Sequence, residues 1–248
     1  MNEKVRVVGI SSSPRRGNTE HMLEAALKAA EQAYPEITTE MYSFKGKEIR
    51  YCYDCKACER RIEEKLIMQC VLDDDWLEFI RPLVDPVPNG IILAAPVYFS
   101  DVNAEMRAFM ERFTALMKPY WFPQLPFQPP DFSRTAAGAL TVGFHRNGGQ
   151  ETAILAMVRF FLICGMLSVG SYCPEQGPIG YYGGVGWEDA TGRASRKGVL
   201  EDRWGMYSAR VVGRKVAYSA LTLASAPVFP LVAEPFVPHL APKEETEI

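Results

Sequence analysis

The chain opens on a short apolar run, Val5, Val7, Val8 and Ile10, whose β-branched character reads as a buried strand. A polar stretch from Ser11 to Asn18 follows, and Leu23, Ala26, Leu27 and Ala30 then recur along one helical face. Weak alternation over Ile37–Phe44 predicts a second strand. Trp76, Leu77, Phe79, Ile80, Leu83 and Val84 mark an amphipathic helix, introduced by Asp73, Asp74 and Asp75, which suit a helix N-terminus. Ile91–Ala95 predicts a third strand, and Val102, Met106, Phe109, Met110 and Phe113 a third helix. Ala137–Phe144 and Leu167–Cys173 read as fourth and fifth strands, separated by a helix carrying Ile154, Val158, Phe161, Leu162 and Gly165. A last helix covers Tyr207–Leu223.

Strands that alternate with helices imply βαβ units and a parallel sheet covered on both faces. Five strands and five helices fit a doubly wound α/β sheet of order 2-1-3-4-5, with ligands expected beyond the strands' carboxyl ends. The expected organisation is an α/β body over 1–225 and an extended arm over 226–248, with a cysteine-rich insert at 51–70 and a Pro/aromatic loop at 117–135. Met117–Ser133 holds five prolines and five aromatics, which suits a wall of the site or a subunit contact. Gly177–Gly192 reads as a loop, and from Pro235 the tail reads as an arm with a disordered acidic end.

Composition narrows the function. A chain of 248 residues, 48% hydrophobic and 23% charged, is that of an ordinary soluble globular protein. A net charge of −3 argues against a nucleic-acid surface. Val216–Ala233 carries no charge over 18 residues, but Pro227 and Pro230 interrupt it, so a final helix and an apolar tail are expected rather than a membrane span. The first strand begins within a few residues, so no signal peptide is expected and the location is read as cytoplasmic.

The chemistry should come from the loops after strands one, three and four. A strand feeding a polar loop and then a helix offers unpaired N–H groups and a positive dipole end to an anion. Ser11, Ser13, Asn18 and Thr19 would donate to a phosphate and Arg15 or Arg16 would add charge, although Asn18 or Thr19 could equally cap the helix. The Walker-type G-x-x-x-x-G-K-[ST] and the dinucleotide-binding G-x-G-x-x-G are both absent there. A serine hydrolase is a poor fit as well, because GISSSP lacks the nucleophile-elbow spacing. The third loop, Pro96–Asp101, carries aromatics, and the fourth, Gly143–Glu151, is glycine-rich. Together they suit a phosphorylated flat heterocycle, flavin mononucleotide (FMN).

The motifs GISSSPRRGNT, APVYFSDVNAEMRAFMERF and HRNGGQET resemble those of the NADPH-dependent FMN reductase and iron–sulfur flavoprotein family of flavodoxin-like proteins. The resemblance runs from about Val5 to Arg214. It implies noncovalent FMN, two-electron reduction by NAD(P)H, and homodimers or homotetramers that complete the flavin site. Carried over, Ser11, Ser13, Arg15, Asn18 and Thr19 would hold the phosphate. Pro96, Val97, Tyr98 and Phe99 would flank the ring, and His145, Gly148, Gly149 and Gln150 would meet its polar edge. No acid–base residue is required for hydride transfer to the flavin, and His145 and Tyr98 are the candidates for proton donation to an acceptor.

Cys52-x2-Cys55-x2-Cys58, followed by Cys70, is a second chemical signal, because thiolates at such spacing can converge on one cluster. The resemblance implies a [4Fe–4S] cluster here, yet eleven residues separate Cys58 from Cys70, more than the compact family spacing. Zinc or unligated thiols are the competing readings. Cys164 and Cys173 read as small buried hydrophobes. The function expected is an FMN-dependent NAD(P)H oxidoreductase acting on a small acceptor such as a flavin, quinone or similar aromatic. The alternatives are an iron–sulfur electron carrier served by a ferredoxin-like donor, and a non-enzymatic thiol or zinc redox sensor.

Overall fold

The structure, a computed structural model, describes residues 4–60, 70–121, 129–172, 179–189, 191–192 and 195–228. Its centre is a parallel sheet in the order β2-β1-β3-β5-β6, formed by β1 (Val5–Ser11), β2 (Ile37–Ser43), β3 (Gly90–Tyr98), β5 (Ala136–Gly143) and β6 (Leu167–Val169). Two further strands, β4 (Asp101–Val102) and β7 (Gly184–Trp187), pair with β3 and β5 and bring the total among the described residues to seven. Every residue of β5 is buried, as are the first six of β3, because both faces are covered by helices.

The period-two alternation divides these strands between two apolar layers. Val8, Ile10, Ile91, Leu93, Ala137 and Ala139 pack with α3 (Trp76–Val84), α4 (Ala104–Glu111) and α6 (Gln150–Ile163). Val5, Val7, Ile92, Ala94, Leu140 and Val142 pack with α1 (Asn18–Ala33) and α7 (Arg203–Ser225). Edge-to-face aromatic contacts tie the first layer together, with Phe44 4.4 Å from Phe79 and Phe113 4.7 Å from Phe160.

Three expectations need correction. The fifth strand is not a single segment over 167–173. Leu167–Val169 pairs with Ala136–Gly138, and Gly184–Trp187, inside the stretch read as a loop, pairs with Leu140–Gly143. The two pieces share one edge position, so the 2-1-3-4-5 order holds once the short β4 is set aside. The third helix is not continuous from Val102. Asp101–Val102 instead folds back on Tyr98–Val97, and α4 is followed by a separate α5 (Thr114–Trp121). The Pro/aromatic stretch is therefore helical at its start, and its Phe132 is buried 6.3 Å from Phe113. Residues 122–128, the insert 61–69, Cys173 and the arm from 229 lie outside the described residues. α2 (Ala57–Arg60) begins in the cysteine segment. No described helix is long and apolar enough to cross a membrane.

The layer of α1 and α7 depends on one close backbone approach. A Cβ on the buried Gly213 would overlap the Ala26 carbonyl oxygen. Gly213→Val should lower stability by about 1–3 kcal/mol through this overpacking, measured as a shift in the urea midpoint with unchanged slope.

Candidate functional site

The carboxyl ends of β1, β3 and β5 lie side by side, with Ser11 opposite Ala94 and Pro96 opposite Val142. Ser11 and Ser12 are fully buried and Ser13 nearly so. The Ser13 N–H donates to Ser11 Oγ at 3.3 Å, and Ser13 Oγ donates to the Arg15 carbonyl at 2.6 Å, which coils the loop tightly. Helix α1 starts after Gly17, a cap with no side chain, so its first-turn N–H groups need acceptors from outside the helix. Arg15 and Arg16 are exposed beside it, and Arg16 pairs with Glu24 at 3.5 Å.

Asn18 and Thr19 are buried. The Asn18 amide donates to Glu188 Oε2 at 3.0 Å and to the Ser195 carbonyl at 2.6 Å, and its Oδ1 accepts from the Val199 N–H at 3.1 Å. Asn18 thus fastens the crossing between β7 and α7 onto the first loop. Neither a capping role nor a phosphate role in the sequence pointed to this.

The β3–β4 turn has Phe99 and Ser100 at φ 47° and 65°, the two left-handed residues of a type I′ hairpin. Phe99 is fully exposed at its tip, Tyr98 is 46% exposed, and Pro96 and Val97 are half-buried beneath. Ser12 Oγ donates to Asn103 Oδ1 at 2.6 Å, while Asn103 Nδ2 donates back to the Ser12 carbonyl at 2.7 Å. The first and third loops are therefore joined by a buried two-way bond.

In the fourth loop the buried Gln150 acts as a clasp. Its Oε1 accepts from the Gly148 N–H at 2.7 Å and its Nε2 donates to the His145 carbonyl at 2.5 Å. His145 is exposed and meets Phe144 edge-on at 4.8 Å. Gly149, at φ 100°, lies so close to the Ser100 backbone that a side chain there would overlap it. The third and fourth loops thus meet at this glycine, and the three loops form one continuous rim along the sheet edge.

A second site lies at the far end of α4. Cys52, Cys55, Cys58 and Cys70 all line one pocket, together with Lys56, Leu72 and Arg112. Asp54 and Lys56 adopt φ 50° and 57°, so the chain turns sharply between the cysteines. Among the described residues no three His, Cys, Asp or Glu side chains close on a single ion position. A four-iron cluster binds one thiolate at each of its iron corners, and so spreads its ligands around a pocket. Cys70 reaches this pocket despite the long insert because the loop is closed at its base. The Arg50 N–H donates to Asp74 Oδ2 and the Glu48 N–H to Asp75 Oδ2, each at 2.8 Å, and the Asp75 N–H donates to the Glu48 carbonyl at 3.0 Å. The acidic run is thus more than a helix start. Arg112, which sequence reasoning missed, donates to Asp74 and, at 3.2 Å, to Cys70 Sγ. A lone arginine among Phe109, Met110 and Phe113 was the available signal.

A doubly wound parallel sheet in this strand order, with helices on both faces, defines a flavodoxin-like protein. The chain belongs to the NADPH-dependent FMN reductase family, whose profile matches residues 5–175. It is 36% identical over 214 residues to an iron–sulfur flavoprotein of Methanocaldococcus jannaschii, an alignment covering 86% of this chain and 96% of that protein. It is 34% identical to an iron–sulfur flavoprotein of Archaeoglobus fulgidus, with 85% and 95% covered. Among solved structures, an NAD(P)H:quinone oxidoreductase from Methanothermobacter marburgensis shares the fold with a TM-score of 0.55 at 16% identity, over 86% of this chain and 96% of that one.

Two outcomes follow from the geometry. Asn18→Ala should raise amide exchange at Val199 by at least tenfold, because a buried N–H loses its acceptor; exchange mass spectrometry measures it. The Cys164 thiol is pushed up to about 12 by burial. It should resist iodoacetamide at pH 8 in the native protein and react only on unfolding, as read by peptide mass mapping.

Proposed function

We propose that this chain is an FMN-dependent oxidoreductase that also carries a [4Fe–4S] cluster on Cys52, Cys55, Cys58 and Cys70. The observation that carries the reading is the pocket shared by all four cysteines, at the opposite end of α4 from the loop rim. Asn103, bonded to Ser12 at the rim, and Arg112, bonded to Cys70, are nine residues apart, roughly 14 Å along a helix. Two redox groups held at these ends would lie within one short helix of each other.

Ser11, Thr19 and the first-turn N–H groups of α1 would hold the FMN phosphate, with Arg15 adding positive charge and Ser13, whose hydroxyl is bonded to the Arg15 carbonyl, shaping the loop. Asn18 would contribute by holding the loop shut rather than by touching the ligand, since its amide is already engaged. Pro96, Val97, Tyr98 and Phe99 would flank the ring, while His145, Gly148 and Gly149 offer polar contacts and Gln150 keeps that loop closed. When bound, the flavin supplies the exchange between hydride and single-electron chemistry. The exposed Tyr98, Phe99 and Phe144 favour a small aromatic acceptor at the open edge, with NAD(P)H or a ferredoxin-like protein as donor. Tyr98 or His145 could hand a proton to that acceptor. Exposed Leu162 and Ile163 on α6 favour a homodimer or homotetramer.

Protein purified without oxygen should show flavin bands over a broad iron–sulfur shoulder, with about four iron and four sulfide per chain. Replacing Cys52, Cys55, Cys58 or Cys70 by Ser should each lower the iron content and leave FMN in place, whereas Cys164→Ser should change neither. Flavin without iron would reduce the reading to a simple NAD(P)H reductase, and colourless protein that FMN cannot reconstitute would end it.

A further inference from the structure

Arg112 is 2% exposed and is the C-terminal cap residue of α4. Its guanidinium is held from three sides. Nη1 donates to Asp74 Oδ2 and to the Arg50 carbonyl at 3.3 Å, and the group lies 4.6 Å from the centre of the buried Trp76 ring. Nη2 donates to Cys70 Sγ at 3.2 Å, within the range of an N–H···S bond. The buried Nε has no hydrogen-bond partner among the described residues. The other cation on the pocket wall, Lys56, is half exposed and pairs with Asp54 at 2.9 Å, so solvent screens it.

A buried, fully oriented guanidinium on one thiolate does two things to a cluster ligated by that sulfur. It turns the cationic end of the buried Arg112–Asp74 pair toward the sulfur in a low-dielectric setting, and it donates a hydrogen bond to the ligand sulfur. Both stabilise the more negative, reduced form, and hydrogen bonds to sulfur, net charge and solvent exposure are what set cluster potentials. We propose that Arg112, held by Asp74, is the positioning residue that raises the reduction potential of the group bound at Cys70, an inference that rests on the cluster reading above. Arg50, two residues before Cys52, is bonded to both members of the pair, so the same pair also fixes the two arms of the cysteine segment.

The test is a mediator-equilibrated redox titration of the intact holoprotein, followed by low-temperature paramagnetic resonance. Removing Arg112 alone would strand the fully buried Asp74 carboxylate and endanger the fold, so the informative protein is the double variant Asp74→Asn with Arg112→Met. Arg112→Lys serves as the conservative comparison. Iron, sulfide, FMN content and thermal melting are measured on every sample. The expected result is a double variant that keeps its iron and FMN while its reduced-to-oxidised ratio at a fixed poise falls at least tenfold, about 59 mV for one electron. Arg112→Lys should fall by less. Equal potentials in the wild type and the double variant would overturn the inference and leave the cluster reading intact. Loss of iron from both variants, with fold and FMN retained, would also overturn it, by making Arg112 an assembly residue. Wild-type protein without iron would overturn both readings at once.

Discussion

β1, β3 and β5 have no polar face, and that constraint governs the rest of the molecule. Strands buried on both sides must be covered twice, so each connection runs through a helix and returns parallel. All three strands therefore release their chain at the same edge of the sheet. The serine loop, the aromatic hairpin and the glycine loop meet there because of this topology. Their fine adjustment comes from a few polar bonds, chiefly Ser12 with Asn103 and the Gln150 clasp.

The buried pair of Arg112 and Asp74 organises the second site in a different way. An ion pair sunk in an apolar core adds little net stability, because desolvation offsets the attraction. Its value to the fold is geometric. Asp74 accepts from the Arg50 backbone and Arg112 donates to the Arg50 carbonyl and to Cys70, so two stretches of chain more than twenty residues apart are held at one point. The same arginine ends α4, whose other end is anchored at the loop rim through Asn103. One short helix thus sets the spacing between the two regions.

Much of this architecture was legible in the sequence. The strands β1, β2, β3 and β5 stood out because each is a compact apolar or β-branched run between turn residues, and the loops after β1, β3 and β5 followed from the topology. The β7 strand was not legible, because Gly184-Val185-Gly186 carries little side-chain signal and is set by pairing with β5. The hairpin at Asp101 was hidden for a similar reason: Val102 fits the apolar face of the following helix, and only tertiary context turns it into a strand. Asn18 was read as a phosphate donor or helix cap, and Asp74 as a helix-start residue. Their real partners, Glu188 and Arg112, are distant in sequence, and a single chain gives no pattern for such pairs.

The edge of the sheet has a consequence beyond the site. Because β6 and β7 each pair independently with β5, the chain between Val169 and Gly184 is a detour whose two ends are already fixed. Its length can change without shifting the register of any strand. Descendants of this fold could lengthen or trim that detour while the sheet and its carboxyl-end rim stayed in place. The split edge is therefore a point of evolutionary freedom beside a framework that allows very little.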